Sequence, residues 1–128
     1  MRSPLRDARV GDHLPRRVVD RARARRLEAT AVLLPGAGQI DAYREQLEGH
    51  AREFADWDGR VMELDADGAS SHRLLVVDRY GQVYAAHDAA DPRDLPDAAA
   101  LREWFRFLST ACPECGVLDQ PVLVGPTP

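Results

Sequence analysis

Residues 30–67 read TAVLLPGAGQIDAYREQLEGHAREFADWDGRVMELDAD, in which two short apolar runs flank a segment with helical periodicity. The first run, Thr30–Gly36, is stopped by Pro and Gly, which is typical of a buried strand. Apolar residues in the middle segment recur at spacings of four, four and three: Tyr43, Leu47, Ala51 and Phe54. That spacing predicts one apolar stripe on a helix, and Asp41 is placed to cap its first turn. Because Arg60–Asp67 predicts a second strand, the stretch indicates a right-handed βαβ unit.

The segments on either side of this unit extend the predicted sheet. Leu74–Val77 and Gln82–Ala86 flank a turn at Tyr80–Gly81, which is typical of a β-hairpin. A second helical stripe follows at Leu101, Trp104, Phe105 and Leu108. Near the N-terminus, Val18–Val19 predicts one further short strand. Together these elements predict an α/β fold with a mixed four- to five-stranded sheet, built from a βαβ unit, a β-hairpin and a C-terminal helix.

The composition is that of a single globular domain. The chain has 128 residues, of which 45% are hydrophobic and 30% are charged, so we expect one domain over residues 1–128 with a C-terminal tail, 109–128. No apolar run approaches the roughly 18 residues that a membrane span needs. No apolar stretch typical of a signal peptide follows Met1. These features predict a cytoplasmic protein without a membrane partner.

The basic charge is concentrated at the N-terminus. All 17 basic residues are arginine, and nine of them lie in residues 1–26 beside only three Asp. A basic arm is one route to a nucleic-acid partner. Residues 1–26 contain no aromatic residue and no recognition-helix pattern. We therefore favour a solvated region whose arginines pair with the acidic remainder of the chain, and we expect no nucleic-acid partner.

Three motifs in chain order resemble the thioredoxin-like fold, and within it the peroxiredoxin, or redoxin-domain, branch. VGDHLP (Val10–Pro15) resembles the VGDxAP opening of that branch, and AVLLPG (Ala31–Gly36) resembles the core strand that leads to its active-site loop. LLVVDRYGQVYAAH (Leu74–His87) resembles its FxIDxxGxI hairpin. The resemblance covers roughly residues 9–110. It implies a thioredoxin-like, antioxidant type of oxidoreductase fold.

The catalytic positions of the peroxiredoxins are changed in this sequence. In that family a proline, a Thr or Ser four residues later and a Cys seven residues later surround the peroxide, and an arginine lowers the pKa of the thiolate. The matching positions here are Pro35, Gln39, Ala42 and Arg73. Because the Ala42 methyl group is not a nucleophile, we expect no peroxidase activity at this corner.

The predicted fold is also trimmed by one helix. Thioredoxin-like proteins place a helix between the second strand and the hairpin, whereas only Ala66–His72 joins them here, without an apolar stripe. We therefore expect one face of the sheet to be thinly covered. A homodimer formed through that face is the arrangement we expect to bury it.

Both cysteines of the chain, Cys112 and Cys115, lie in the tail motif CPECG. The CxxC spacing allows a disulfide, and thiol–disulfide oxidoreduction with a protein disulfide or thiol partner is one hypothesis. The motif also resembles a zinc knuckle; since structural zinc needs four ligands, two chains would share one ion. A third hypothesis is a catalytically inactive binding or structural module in which the thiols only close a turn. The sequence leaves these three alternatives open.

Overall fold

The computed structural model describes residues 4–14 and 28–110, which form a four-stranded mixed sheet with three α-helices. The strands are β1 (Ala29–Leu34), β2 (Gly59–Glu63), β3 (His72–Val77) and β4 (Val83–Ala89). The helices are α1 (Asp41–Gly49), α2 (Ala51–Asp56) and α3 (Ala98–Thr110). Short 3-10 turns occur at Pro4–Asp7 and Pro92–Asp94. The α/β class, the βαβ unit, the hairpin and the C-terminal helix are confirmed.

Strand β1 is the centre of the fold. It pairs with β2 in parallel and with β3 in antiparallel, so that Val32 lies opposite Met62 on one side and Leu75 on the other. Strand β4 pairs antiparallel with β3, which gives the sheet order β2-β1-β3-β4. All six residues of β1 are buried. A strand that is apolar on both faces requires cover on both sides, and the two layers are built differently.

The three helices cover one face of the sheet. Alternate residues of β1, including Ala31 and Leu33, point into this layer. The ring of Phe54 from α2 contacts the ring of Phe105 from α3, with centroids 5.2 Å apart. The predicted α3 stripe is buried in full: Leu101, Trp104, Phe105 and Leu108. Burying one such large side chain contributes about 1.5–3 kcal/mol. This layer contains more buried side chains than the layer on the opposite face, so it is the larger core.

The N-terminal segment covers the opposite face. Leu5, Ala8 and Leu14 pack against side chains from the other faces of the strands, including Val32 and Leu75, which are both fully buried. No helix forms between β2 and β3 in the described chain, as the sequence predicts. The expected bare face is nevertheless occupied by residues 5–14. This cover removes the reason for expecting a dimer at the centre of that face.

Asp78 and Gly81 shape the β3–β4 hairpin turn, and both belong to the hairpin motif described above. One carboxylate oxygen of Asp78 accepts from the amides of Tyr80 and Gln82, each at 2.9 Å. Gly81 has a φ of 93°, a conformation that side-chain-bearing residues rarely adopt. Burial raises the pKa of Asp78 while these amide bonds lower it. The two residues of the motif thus have structural roles in this chain.

Several local predictions differ from the structure. The predicted single helix is interrupted at His50, whose φ of −110° and ψ of 10° are not helical. Ala51, just after the interruption, is exposed, whereas Tyr43, Leu47 and Phe54 are buried as predicted. Asp41 does not cap α1; its carboxylate pairs instead with Arg44 at 2.6 Å. The second strand ends at Glu63 rather than at Asp67. The predicted Val18–Val19 strand lies outside the described residues.

A Gly59→Ala substitution tests the packing of β2 against α3. A Cβ atom at position 59 would lie 2.3 Å from the Phe105 Cγ atom. The Phe105 ring is fully buried and cannot move freely. We expect the free energy of unfolding to fall by about 1–3 kcal/mol, measured by urea denaturation.

Gly49→Ala is the matched control because no heavy atom lies within 4 Å of a Cβ at that position. We expect this variant to be as stable as the parent, or more stable by up to about 1 kcal/mol. Equal unfolding midpoints for the two variants would contradict the packing described for Phe105.

Candidate functional site

The cysteine pair predicted as a catalytic or metal site, Cys112 and Cys115, lies outside the described residues. The described chain ends at Thr110, the last residue of α3. Just before it, Leu108 and Ser109 line a small depression together with Ala29, at the start of β1. The described part of α3 therefore ends near the start of β1, whereas Pro35 follows the other end of that strand.

The corner where β1 leads into α1 brings together only part of the set that the peroxiredoxin resemblance marks: Gln39 and Ala42 line the same groove, but Arg73 does not. Ala42 lies in the first turn of α1, and Pro35 is buried at the end of β1. Arg73 points to the opposite face of the sheet. There its guanidinium contacts Asp88 at 2.6 Å and donates to the backbone carbonyl of Ala8. Arg73 is therefore already paired on the far side of the sheet and is not available to activate a group at Ala42.

A buried arginine from the N-terminal segment occupies the end of β1 instead. The Arg6 side chain is 3% exposed and pairs with the Asp67 carboxylate at 3.0 Å. Its guanidinium also donates to the carbonyl of Ser71 at 2.6 Å and to the carbonyls of Pro35 and Leu34 at 3.1 and 3.3 Å. The planar, multiply donating guanidinium suits this role because it can satisfy several acceptors at once. Arg6 thereby ties the N-terminal segment to both loops of the corner.

His72 and Gly36 join the same two loops directly. The Gly36 amide donates to His72 Nδ1 at 2.8 Å, and the Ala37 amide donates to the Ala69 carbonyl at 2.8 Å. A Cβ atom at Gly36 would lie 2.2 Å from the Ser71 carbonyl oxygen, so only glycine permits this approach. We call the four residues Arg6, Gly36, Asp67 and His72 the corner latch.

The hydrogen bond at Nδ1 determines the chemistry of His72. Because Nδ1 accepts from Gly36, the neutral imidazole carries its proton on Nε2. Burial, together with the nearby Arg6 charge, lowers the pKa of His72, so the ring is neutral at physiological pH. Nε2 finds no hydrogen-bond partner among the residues that the structure describes. Neither nitrogen has a free lone pair, so His72 cannot serve as a general base for the adjacent Ser70 or Ser71.

A groove of about 620 Å³ opens beside the corner, between the start of α1 and the loop before α3. This volume lies in the range of small-molecule and peptide pockets. Its walls are fixed by two hydrogen bonds: Tyr43 donates to the Pro96 carbonyl at 2.7 Å, and Gln46 accepts from the Ala98 amide at 2.8 Å. Burial raises the pKa of Tyr43, which keeps its hydroxyl protonated as the donor.

The lining of the groove combines an apolar floor with a charged rim. Ile40, Tyr43 and Leu95 are buried at its base. The residues at the rim are Asp41, Asp91, Arg93 and Asp97. Asp91 and Arg93 pair with each other at 2.7 Å, and that contact lowers the pKa of Asp91. Ala42, the position where the peroxiredoxin resemblance places a nucleophile, lines this groove.

No metal centre or membrane helix is found in the described residues. Within residues 4–14 and 28–110, no group of three or more His, Cys, Asp or Glu side chains could hold a metal ion. Over the same part of the chain, no helix is both long enough and apolar enough to cross a membrane. Comparisons with protein-family models, with curated proteins and with solved structures found no match.

The sequence alone did not reveal the corner latch. Arg6 is one of nine arginines in a region expected to be solvated, and nothing local marks it as buried. Its partner Asp67 is 61 residues away in the chain. The one local signal is Gly36 directly after Pro35, a pair that by itself predicts only the end of a strand.

Replacing Arg6 by Met tests the latch. The substitution keeps most of the aliphatic volume but removes the guanidinium that contacts the Asp67 carboxylate, whose side chain is 6% exposed. Removing one member of a buried ion pair is costly, so we expect the free energy of unfolding to fall by about 3–5 kcal/mol in urea denaturation.

Arg93→Met is the matched control, because the Arg93 side chain is 89% exposed in its pair with Asp91. We expect its unfolding midpoint to equal that of the parent, since exposed pairs add little stability. If both variants leave the midpoint unchanged, Arg6 does not hold the corner together.

Proposed function

We propose that this protein is a thioredoxin-like module of the redoxin type that binds a partner and does not perform peroxide chemistry at the usual corner. The sheet order β2-β1-β3-β4 supports the fold assignment, because β3 is antiparallel to both of its neighbours, β1 and β4, whereas β1 and β2 are parallel. The helices gathered on one face agree with it as well. The N-terminal segment takes the place of the second helical layer.

The observation that carries the proposal is the closed corner. A peroxidatic or thioredoxin-type site requires an activated nucleophile at the start of the first helix. In this chain the first turn of α1 carries Ala42, and the preceding loop is held by the Gly36–His72 bond and by Arg6. A loop joined to its neighbours in this way is preorganised, which suits a binding surface.

The groove beside Ala42 is the binding site that we propose. Its apolar floor at Tyr43 and Leu95 provides surface for a hydrophobic group of the ligand. Its rim carries three carboxylates and one guanidinium, so its net negative charge favours a partner that presents positive charge. An apolar base with a polar rim is the usual composition of a site that recognises a small molecule or a short peptide.

Thiol–disulfide oxidoreduction by Cys112 and Cys115 is a second candidate function. It is favoured by one observation: these are the only two thiols of the chain, and they stand at CxxC spacing. One thiolate would attack a partner disulfide and form a mixed disulfide, releasing the partner's first thiol. The second cysteine would then displace the partner's other thiol, so that the chain is oxidised and the partner is reduced.

The position of the cysteines works against a fast reaction. Cys112 follows Thr110, where α3 ends, by two residues. The carbonyl end of a helix carries partial negative charge, which disfavours a thiolate. Glu114 stands between the two cysteines in the sequence and adds another negative charge. A homodimer that shares one zinc ion between paired CPECG turns is the remaining alternative for this segment.

Enzyme assays separate the two candidate functions. For a binding module we expect no hydrogen peroxide consumption above the buffer rate. We also expect insulin disulfides to be reduced at equal rates with the parent chain and with Cys112→Ser, because no thiolate is activated. Insulin reduction by the parent that Cys112→Ser abolishes would reject the binding module in favour of the oxidoreductase.

Mass and metal analysis of the parent chain complete this test. A loss of about two mass units on mild oxidation indicates that the two thiols form a disulfide within one chain. About half a zinc ion per chain, together with a dimeric mass, indicates a shared site with four thiolates. With neither result, the CPECG segment has no thiol or metal role and the binding module stands alone.

A further inference from the structure

We propose that the corner latch is pH-sensitive: a proton bound at His72 Nδ1 breaks the hydrogen bond from Gly36 and frees residues 35–38 from residues 67–71. The proposal goes beyond the binding function and does not depend on it. It concerns the state of a buried side chain, which is measurable in the protein without any ligand.

The geometry makes this hydrogen bond depend on the neutral imidazole. His72 is fully buried, and its Nδ1 accepts from the Gly36 amide at 2.8 Å. A nitrogen that accepts a hydrogen bond carries no proton, whereas both ring nitrogens of a charged histidine are donors. Protonation would therefore place two donors against each other inside the fold. The hydrogen bond from Gly36 to His72 and a proton on Nδ1 therefore exclude one another.

The charged groups around His72 strengthen the coupling. From the N-terminal 3-10 turn comes the Arg6 guanidinium, which is paired with Asp67 of the following loop. On β4, His87 lies on the same face of the sheet, opposite Leu74. The Arg73–Asp88 pair lies on the other face. Burial first, and the positive charge of Arg6 second, lower the pKa of His72. A protonated His72 would be a second cation beside Arg6, and it would oppose both the hydrogen bond from Gly36 and the contacts of Arg6.

The β1–α1 loop is the segment that this change would release. Ala37 and Gly38 are exposed, and Gly38 has a φ of 99°. Besides the Arg6 bond to Pro35, the loop is held by the Gly36–His72 bond and by the Ala37–Ala69 bond. The same loop continues into Gln39 and the start of α1, which line the groove. Release of the latch therefore alters the entrance of the groove.

The direction of the pH dependence follows from the lowered pKa of His72. In the closed latch the imidazole resists protonation, whereas in the open or unfolded chain it takes up a proton near its ordinary pKa of 6.5. The stabilisation of the closed state is fully present above that pH and is lost as the pH falls toward the lower pKa of the closed form. One proton makes the equilibrium constant for opening rise by up to about tenfold per pH unit.

Amide hydrogen exchange of Gly36 and Ala37 measures this opening. Between about pH 7.5 and 5.5 we expect their protection factors to fall by up to about tenfold per pH unit once the pH is below about 6.5. The Ala29 amide, which donates to the Asp58 carbonyl at the other end of β1, is the reference. We expect its protection factor to stay constant over this range. Constant protection of Gly36 would overturn the proposal.

His72→Asn is the decisive variant because the asparagine Oδ1 can accept from Gly36 but does not titrate. We expect the protection of Gly36 in this variant to be independent of pH. His87→Asn is the matched control, since burial lowers the pKa of His87 as well, and its Nε2 has no hydrogen-bond partner among the described residues. We expect the control to keep the parent's pH dependence. The same fall in His72→Asn as in the parent would overturn the proposal.

The tautomer of His72 in the parent chain gives an independent result that needs no variant. Nitrogen NMR of the imidazole should show the proton on Nε2 at neutral pH, because Nδ1 accepts from Gly36. A proton on Nδ1 would overturn the proposal even if the variants fail to fold.

Discussion

The buried guanidinium of Arg6 is the contact on which the arrangement of the corner depends. One side chain from the N-terminal segment pairs with Asp67 and bonds to the carbonyls of Ser71 and Pro35. Those partners belong to the two loops that meet at the end of β1. An isolated buried charge would be strongly unfavourable, so Arg6 is stable in this position only when both loops are in place to contact it. The same contact brings residues 5–14 across the sheet, where they replace a helix as the second layer of the core.

Closing the corner has a direct functional consequence. In a thioredoxin-like protein that performs thiol chemistry, the loop before the first helix presents a nucleophile to solvent. Here the loop is used for structure, Ala42 faces a groove, and Arg73 pairs with Asp88 on the other face. A ligand in the groove would sense the state of His72 through the loop that leads to Gln39.

Much of the fold could be predicted from the sequence, because periodicity reports directly on burial. The stripe of α3 and the apolar run of β1 are both buried as predicted. The buried Arg6 could not be predicted, because its partner Asp67 is 61 residues away in the chain. The break at His50 could not be predicted either, because the spacing of apolar residues reports burial and not the continuity of a helix. The site residues at the β1–α1 corner are predicted from a family pattern, which specifies residue types at given spacings in the sequence. That pattern could not show that the side chain at Arg73 points away from Ala42.

A double-mutant cycle between Arg6 and Asp67 tests this account most directly. The free energies of unfolding are measured in urea for the parent, Arg6→Met, Asp67→Asn and the double variant. If the two side chains form the buried pair at 3.0 Å, the double variant is less destabilised than the sum of the single variants by about 2 kcal/mol or more. Additivity within about 0.5 kcal/mol would show that the two groups do not interact and would contradict the account.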